Sequence, residues 1–284
     1  MRAGGRGAGR DTTGNEQSES AQRNQRIIMI ADRYYYSRMT PGEKYIYEAL
    51  YEAIINGRKS AEIEGGADAG SVTEIYFAII LDNPHFYYLG REISIVRYSG
   101  AYEKTLIEPS YTLNRDIIRD FNGRIEQGVN ELIRRLKLGG VSDLEAVRRL
   151  HDYLASEAEY DDTALEERQK GRLISAHSVI GIFSKQCAVC DGISKTVKLV
   201  LNSLDIPCIV VAGESAFEED NGSHAWNIVK IGGKAYHLDM TWDINLSRKG
   251  HISYEYFLIS DQDAARDHEW KRNVPICSTR RASF

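Results

Sequence analysis

Hydrophobic side chains recur along this chain at two spacings, and the changes between them mark its elements. Thr40-Pro41-Gly42-Glu43 has the form of a capping box with proline in the first turn, and Tyr47, Leu50, Tyr51 and Ile54 follow at helical spacing. A helix is predicted over 41–57. Val72 to Leu81 is dense in β-branched and aromatic residues and runs into Asn83-Pro84, while Glu92 to Tyr98 alternates polar and apolar. Both stretches predict strands. Ile117, Phe121, Ile125, Val129, Leu132 and Leu136 restore the helical spacing over 113–137, against which Gly123 and Gly128 count. A second capping box, Ser142-Asp143-Leu144-Glu145, opens a helix whose apolar stripe is Val147, Leu150 and Leu154, with His151 on the same stripe. Glu157 to Arg172 is polar and reads as a loop.

Residues 1–25 carry almost no large apolar side chain, cannot offset the entropy of ordering, and are expected to be disordered. No repeat or low-complexity linker divides the remainder. The simplest organisation is a helix and strand region over 26–140 and a compact catalytic core over 141–284. The longest apolar runs, such as Ile27 to Ala31, fall far short of the roughly 20 residues that cross a bilayer. No apolar stretch follows the early arginines as it would in a signal peptide, so the chain reads as cytoplasmic, with export open if a leader precedes it. A net charge of −5 without a basic cluster argues against nucleic acid as a partner. Four cysteines in 284 residues are too few for a disulfide scaffold.

Chemistry concentrates around one of those cysteines. After Cys187-Ala188-Val189-Cys190-Asp191-Gly192, the residues Ile193, Val197, Val200, Leu201 and Leu204 mark one face of a helix that stops before Pro207. Cys190 therefore stands at a helix N-terminus, where the helix dipole favours a thiolate and unpaired N–H groups can hold an oxyanion. Gly192 would let a substrate chain approach closely. Zinc at Cys187-x-x-Cys190 would need two more ligands, and Cys208 and Cys277 are not paired at ligand spacing. A redox reading of the same pair would make Cys187 the attacking thiol, and oxidation could instead cap Cys190 as a disulfide.

Downstream, His224-Ala-Trp-Asn-Ile-Val-Lys-Ile231, the turn Gly232-Gly233 and Lys234 to Trp242 read as a β-hairpin. A two-residue turn sets Ile231 opposite Lys234 and Thr241 opposite His224. Asp239 then becomes a diagonal neighbour of His224 on the same face. An aspartate on one ring nitrogen of a histidine fixes its tautomer and leaves the other nitrogen to take a thiol proton.

These residues carry a resemblance. VCDGISK at 189–195, HAWNIVKIGGKAYHLDMTWD at 224–243, the tail YEYFLISDQDAARDH, VRRLHDYLASEAEYDD at 147–162 and AHSVIGIF at 176–183 are similar to the bacterial transglutaminase-like superfamily. The resemblance implies a papain-like α+β fold with the cysteine on a helix and the histidine and aspartate on adjacent strands. It makes Cys190 the nucleophile, His224 the base and Asp239 the third member, with Trp226 and Trp242 as aromatic supports. Asp191 and Ile193 depart from the Glu and the aromatic residue common at those places. The resemblance implies acyl transfer through a thioester on glutamine carboxamide or peptide amide, giving crosslinking, deamidation or proteolysis.

The alternative is a non-catalytic protein that binds peptide or cell-wall material in the same cleft. A protein or peptide substrate, cell-wall peptide included, is the expected partner, with no cofactor, no metal and no membrane. His177, His151 and Asp152 line the cleft or pack helices. The tyrosines at 34–36 and 87–88 form a recognition surface or pack half-buried.

Overall fold

The protein is described by a computed structural model for residues 33–100, 102–166, 175–216, 222–270 and 273–279. The stretch expected to be disordered, 1–25, lies outside the described residues, as does part of the polar loop before residue 175. The fold is α+β, with two antiparallel sheets.

The first part opens with a short helix α1 (Tyr34–Ser37) and then α2 (Pro41–Ile55), where the predicted capping box forms in both directions between Thr40 and Glu43. Strand β1 (Ala61–Glu64) leads into α3 (Ala69–Asp82), capped by the Asp68 side chain on the N–H of Ser71. The strand expected over Val72 to Leu81 is thus a helix. Its apolar residues are continuous because the helix is buried on several sides, with Val72, Ile75, Tyr76, Ala78, Ile79 and Leu81 all in the interior, and such a run resembles a buried strand in sequence. Strands β2 (Leu89–Tyr98) and β3 (Lys104–Tyr111) complete a sheet of order β1-β3-β2. Of the tyrosines expected either on a surface or half-buried, Tyr34, Tyr35, Tyr87 and Tyr88 are buried. Tyr35 donates its hydroxyl to the carbonyl of Val210 at 2.8 Å, and Tyr87 to that of Ile118 at 2.8 Å.

Helix α4 (Arg115–Arg135) follows the predicted spacing. Gly128, which counted against it, is where the Phe183 ring packs; a Cβ there would lie 2.5 Å from that ring. Helix α5 (Asp143–Glu157) is capped by Ser142, while Glu145 pairs with Arg148 and Arg149. Strand β4 (Glu159–Tyr160) and helix α6 (Asp162–Glu166) occupy the start of the expected loop. Then come α7 (Val179–Lys185), β5 (Cys187–Ala188), which pairs in parallel with β4, and α8 (Cys190–Asn202).

The second sheet has the order β8-β7-β6-β9 and is built from β6 (Cys208–Ser215), β7 (Ser223–Ile231), β8 (Lys234–Leu238) and β9 (His268–Glu269). Helix α9 (Met240–Leu246) follows β8, and a turn of helix α10 (Asp261–Ala264) precedes β9. Helix α8 lies against β6 and β7. Every residue from Gly192 to Asn202 except Lys195 is buried, so the helix is central and not merely amphipathic. Even Lys198 is enclosed, with its ammonium donating to the carbonyl of Cys208 at 3.0 Å. One apolar core runs from Tyr47 to Leu258 and joins both sheets through this helix. Among the described residues no helix is long and apolar enough to cross a membrane.

Candidate active site

Cys190 is the first residue of α8, as the sequence predicts, and is partly exposed. The cap residue is Val189, whose side chain makes no capping hydrogen bond. The first-turn N–H groups therefore receive no side-chain acceptor from the cap, the arrangement an oxyanion site needs. Ser194, one turn on, has its hydroxyl 2.7 Å from the carbonyl of Cys190 and 2.9 Å from that of Ala225 on β7. The amide of Asn227 donates to the carbonyls of Ser194 and Ile209. These bonds fasten the cysteine's helical turn to the strand residue next to His224.

Gly192 serves differently from the expectation. A Cβ there would lie 2.2 Å from the carbonyl oxygen of Ala176 and 3.1 Å from that of Ser178. The chain's own backbone fills the space that a substrate was expected to use, so Gly192 supports the site by letting the 176–178 segment pack on α8. No disulfide joins Cys187 to Cys190.

The hairpin has the predicted register: Ile231 faces Lys234 and Asn227 faces Leu238, with Gly232 and Gly233 both at positive φ in the turn. The second strand, however, stops at Leu238. Thr241 is not opposite His224, because Asp239 caps α9 by accepting from the N–H of Trp242 at 3.1 Å, and aspartate at such a cap favours helix over continued strand. Asp239 still reaches His224: Oδ2 accepts from Nε2 at 2.6 Å, with both side chains buried. Burial alone would raise the Asp239 carboxyl. The charge of the His224 ring and the hydrogen bonds from His224 and His268 outweigh it and hold the carboxyl well below the usual carboxylate range.

Trp226 and Trp242 both stack on the His224 ring, with centroids 5.8 and 5.4 Å away and planes within 24°. They fix its plane and exclude water from it. The Trp226 indole N–H donates to Nδ1 of His237 at 2.9 Å, so Nε2 of His237 carries the proton and faces Oδ1 of Asp261 at 2.9 Å. Burial holds His237 below the ordinary histidine value, against the pull of Asp261. Neither His237 nor His268 is singled out by spacing. His268 is the last residue of the resembling tail, and that is its one sequence signal.

His177 contacts Asp191, the residue that follows Cys190. Nδ1 lies 2.7 Å from Oδ1 of Asp191, whose Oδ2 is 3.2 Å from the Lys195 ammonium, and Lys195 also donates to the His177 carbonyl. Burial would raise the Asp191 carboxyl, but Lys195 and His177 together hold it well below the usual range. His151 bridges Asp152 at 3.3 Å and Asp243 at 3.1 Å, tying α5 to the helix that Asp239 caps. It packs helices rather than lining a cleft.

Two groups among the described residues bring ligand-type atoms within 4.8 Å: His224, Asp239 and His268, and His237, Asp261 and Cys277. Hydrogen bonds account for both. Each Nε2 there faces a carboxylate, and His237 Nδ1 already accepts from Trp226, so its lone pair is engaged.

The family profile of the transglutaminase-like superfamily matches residues 130–240, from within α4 to the first residue of α9. Kyphoscoliosis peptidase of Mus musculus is 29% identical over 130 residues, covering 43% of this chain and 19% of that protein. Kyphoscoliosis peptidase of Homo sapiens is 28% identical over 129 residues, with the same two coverages of 43% and 19%. The match thus takes in about a fifth of the length of these curated relatives. A solved TGase is similar over 64% of this chain and 50% of its own, at 17% identity and a TM-score of 0.37. Residues 130–240 are thus similar to the transglutaminase-like superfamily, whose members are usually cysteine enzymes.

Proposed function

We propose that the protein is a cysteine acyl-transfer enzyme in which Cys190 attacks the carbonyl of a glutamine carboxamide or peptide amide. The observation that most supports this is the buried pair of His224 and Asp239 at 2.6 Å, together with a cysteine at the N-terminus of α8, the helix packed on the strand that carries His224. With Nε2 given to Asp239, exchange with the thiol falls to Nδ1 of His224. The thiol proton passes there as sulfur bonds to the carbonyl carbon, and N–H groups of the first turn of α8 hold the oxyanion. The C–N bond then breaks, and His224 returns the proton to the departing ammonia or amine. Cys190 is left as a thioester.

Water completes hydrolysis, as deamidation or proteolysis, and a second amine completes crosslinking. His224 removes the proton of whichever enters as the new bond to the acyl carbon forms; the C–S bond then breaks, and the proton returns to the Cys190 sulfur. Protein or peptide, cell-wall peptide included, is the substrate class.

Cys190→Ala tests the reading. It should abolish both amide turnover and labelling by iodoacetamide at neutral pH, with the far-UV spectrum unchanged. Turnover retained in that variant ends the proposal.

A further inference from the structure

His268, on the edge strand β9, lies beyond the segment that matches the superfamily and meets the site from outside the hairpin. Its Nε2 is 2.9 Å from Oδ2 of Asp239, the same oxygen that His224 reaches. Its Nδ1 is 2.7 Å from Oδ1 of Asp267, whose Oδ2 accepts the Tyr256 hydroxyl at 2.8 Å. The ring is buried between Trp226 and Trp242, with centroids 4.7 and 4.3 Å away.

A neutral imidazole has one N–H, so both carboxylate contacts are hydrogen bonds only when each ring nitrogen carries a hydrogen. With both hydrogens in place the ring is a cation between two carboxylates. The titratable groups facing it are Asp239 at the start of α9, Asp267 on its own loop, His224 on β7 and Tyr256, with His237 on β8 within reach of its charge.

We propose that His268 is a positioning residue of the site, which clamps Asp239 for His224 and shares that carboxylate's negative charge with it. The proposal rests on the triad reading above. Its consequence is electrostatic: without His268 the full charge of Asp239 acts on His224, which then keeps its proton to higher pH.

Two full-length variants separate the clamp from the charge. His268→Gln retains an N–H aimed at Asp239 and loses the charge; His268→Leu loses both. In His268→Leu, kcat on an amide substrate should fall about tenfold to a hundredfold, the scale of one hydrogen bond to a charged group, with KM little changed. His268→Gln should recover kcat to within a few fold. In both, the acid limb of the pH profile of kcat/KM should move to higher pH. A role confined to folding would lower the count of alkylatable Cys190 and leave that limb in place.

An unmoved limb in both folded variants overturns the proposal, and so does a Gln variant as slow as the Leu variant. The triad reading is tested separately by Cys190→Ala. In that same variant, ¹⁵N-histidine spectra should show an N–H on both nitrogens of His268, and one N–H alone contradicts the clamp whatever the nucleophile proves to be.

Discussion

Asp239 combines three tasks in one side chain. Oδ1 caps α9, and Oδ2 takes hydrogen bonds from His224 and His268. An amide in its place supplies one acceptor and turns an N–H toward a donor, which disfavours the His224 tautomer that leaves Nδ1 for the thiol. Asp239→Asn should therefore cut kcat by roughly 10³-fold or more while KM moves little; a variant within tenfold of the parent would remove Asp239 as the residue that orients the base. This pair was legible in the sequence because a two-residue glycine turn sets its register by local rules alone. His268 was not, since it lies on β9, 29 residues further on, and no periodicity links it to Asp239. Gly192 was legible as a special position but not in its use, because what fills the space beside it is the backbone of residues 176 and 178, brought there by tertiary folding.

Helices and strands were read best where a local signal marked their start. The Thr40 and Ser142 caps, the α4 spacing and the Gly232-Gly233 turn each carry such a signal, and each element formed. Helix α3 has only Asp68 to announce it, and its burial on several sides erases the polar face that distinguishes a helix from a buried strand. The same loss of a polar face appears in α8, where the chemistry of Cys190 and Pro207 marked the ends instead. Within α4 two glycines look alike in sequence and differ in surroundings. Gly123 has nothing within 4 Å of an added Cβ, whereas Gly128 has the Phe183 ring at 2.5 Å. Gly123→Ala should stabilise the protein by about 0.5–1 kcal/mol through helix propensity. Gly128→Ala should destabilise it by about 1–3 kcal/mol through overpacking against α7. Urea unfolding of both variants measures this, and equal shifts of one sign would refute the packing of α7 on α4.

At the scale of the whole molecule, both sheets share one core and its buried ionisable groups make stability depend on pH as a sum of opposed terms. Asp239 and Asp191, held below the usual carboxylate range, contribute stability that is present above their unfolded value of 3.8 and is lost as pH falls through their folded values. His85 has both ring nitrogens shut off from solvent, with no hydrogen-bond partner among the described residues. Burial first, then the charges of Arg33 and Lys198, push it down from 6.5 to about 3. Between those values the unfolded chain binds a proton that the folded chain does not, so stability rises with pH. Asp82 works the other way, because burial raises its carboxyl from 3.8 to about 6 despite Lys198 and the N–H groups of Tyr36 and Tyr35. There the folded chain holds a proton that the unfolded chain has released, and stability falls with pH across that window. The displacement of His85 is the larger, and burial of His237 adds to it. His151 is itself pushed down by burial but raised overall by Asp152 and Asp243, so its stabilisation fades as pH climbs past its unfolded value of 6.5. The sum makes stability fall as pH drops below about 6.5. Replacing His85 by Leu removes an ionisable ring whose nitrogens bond nothing among the described residues. Urea midpoints measured from pH 4 to 7 should then flatten or reverse in slope, as the opposing term from Asp82 is exposed. A His85→Leu protein that keeps the parent's slope would show that His85 is not buried in its neutral form.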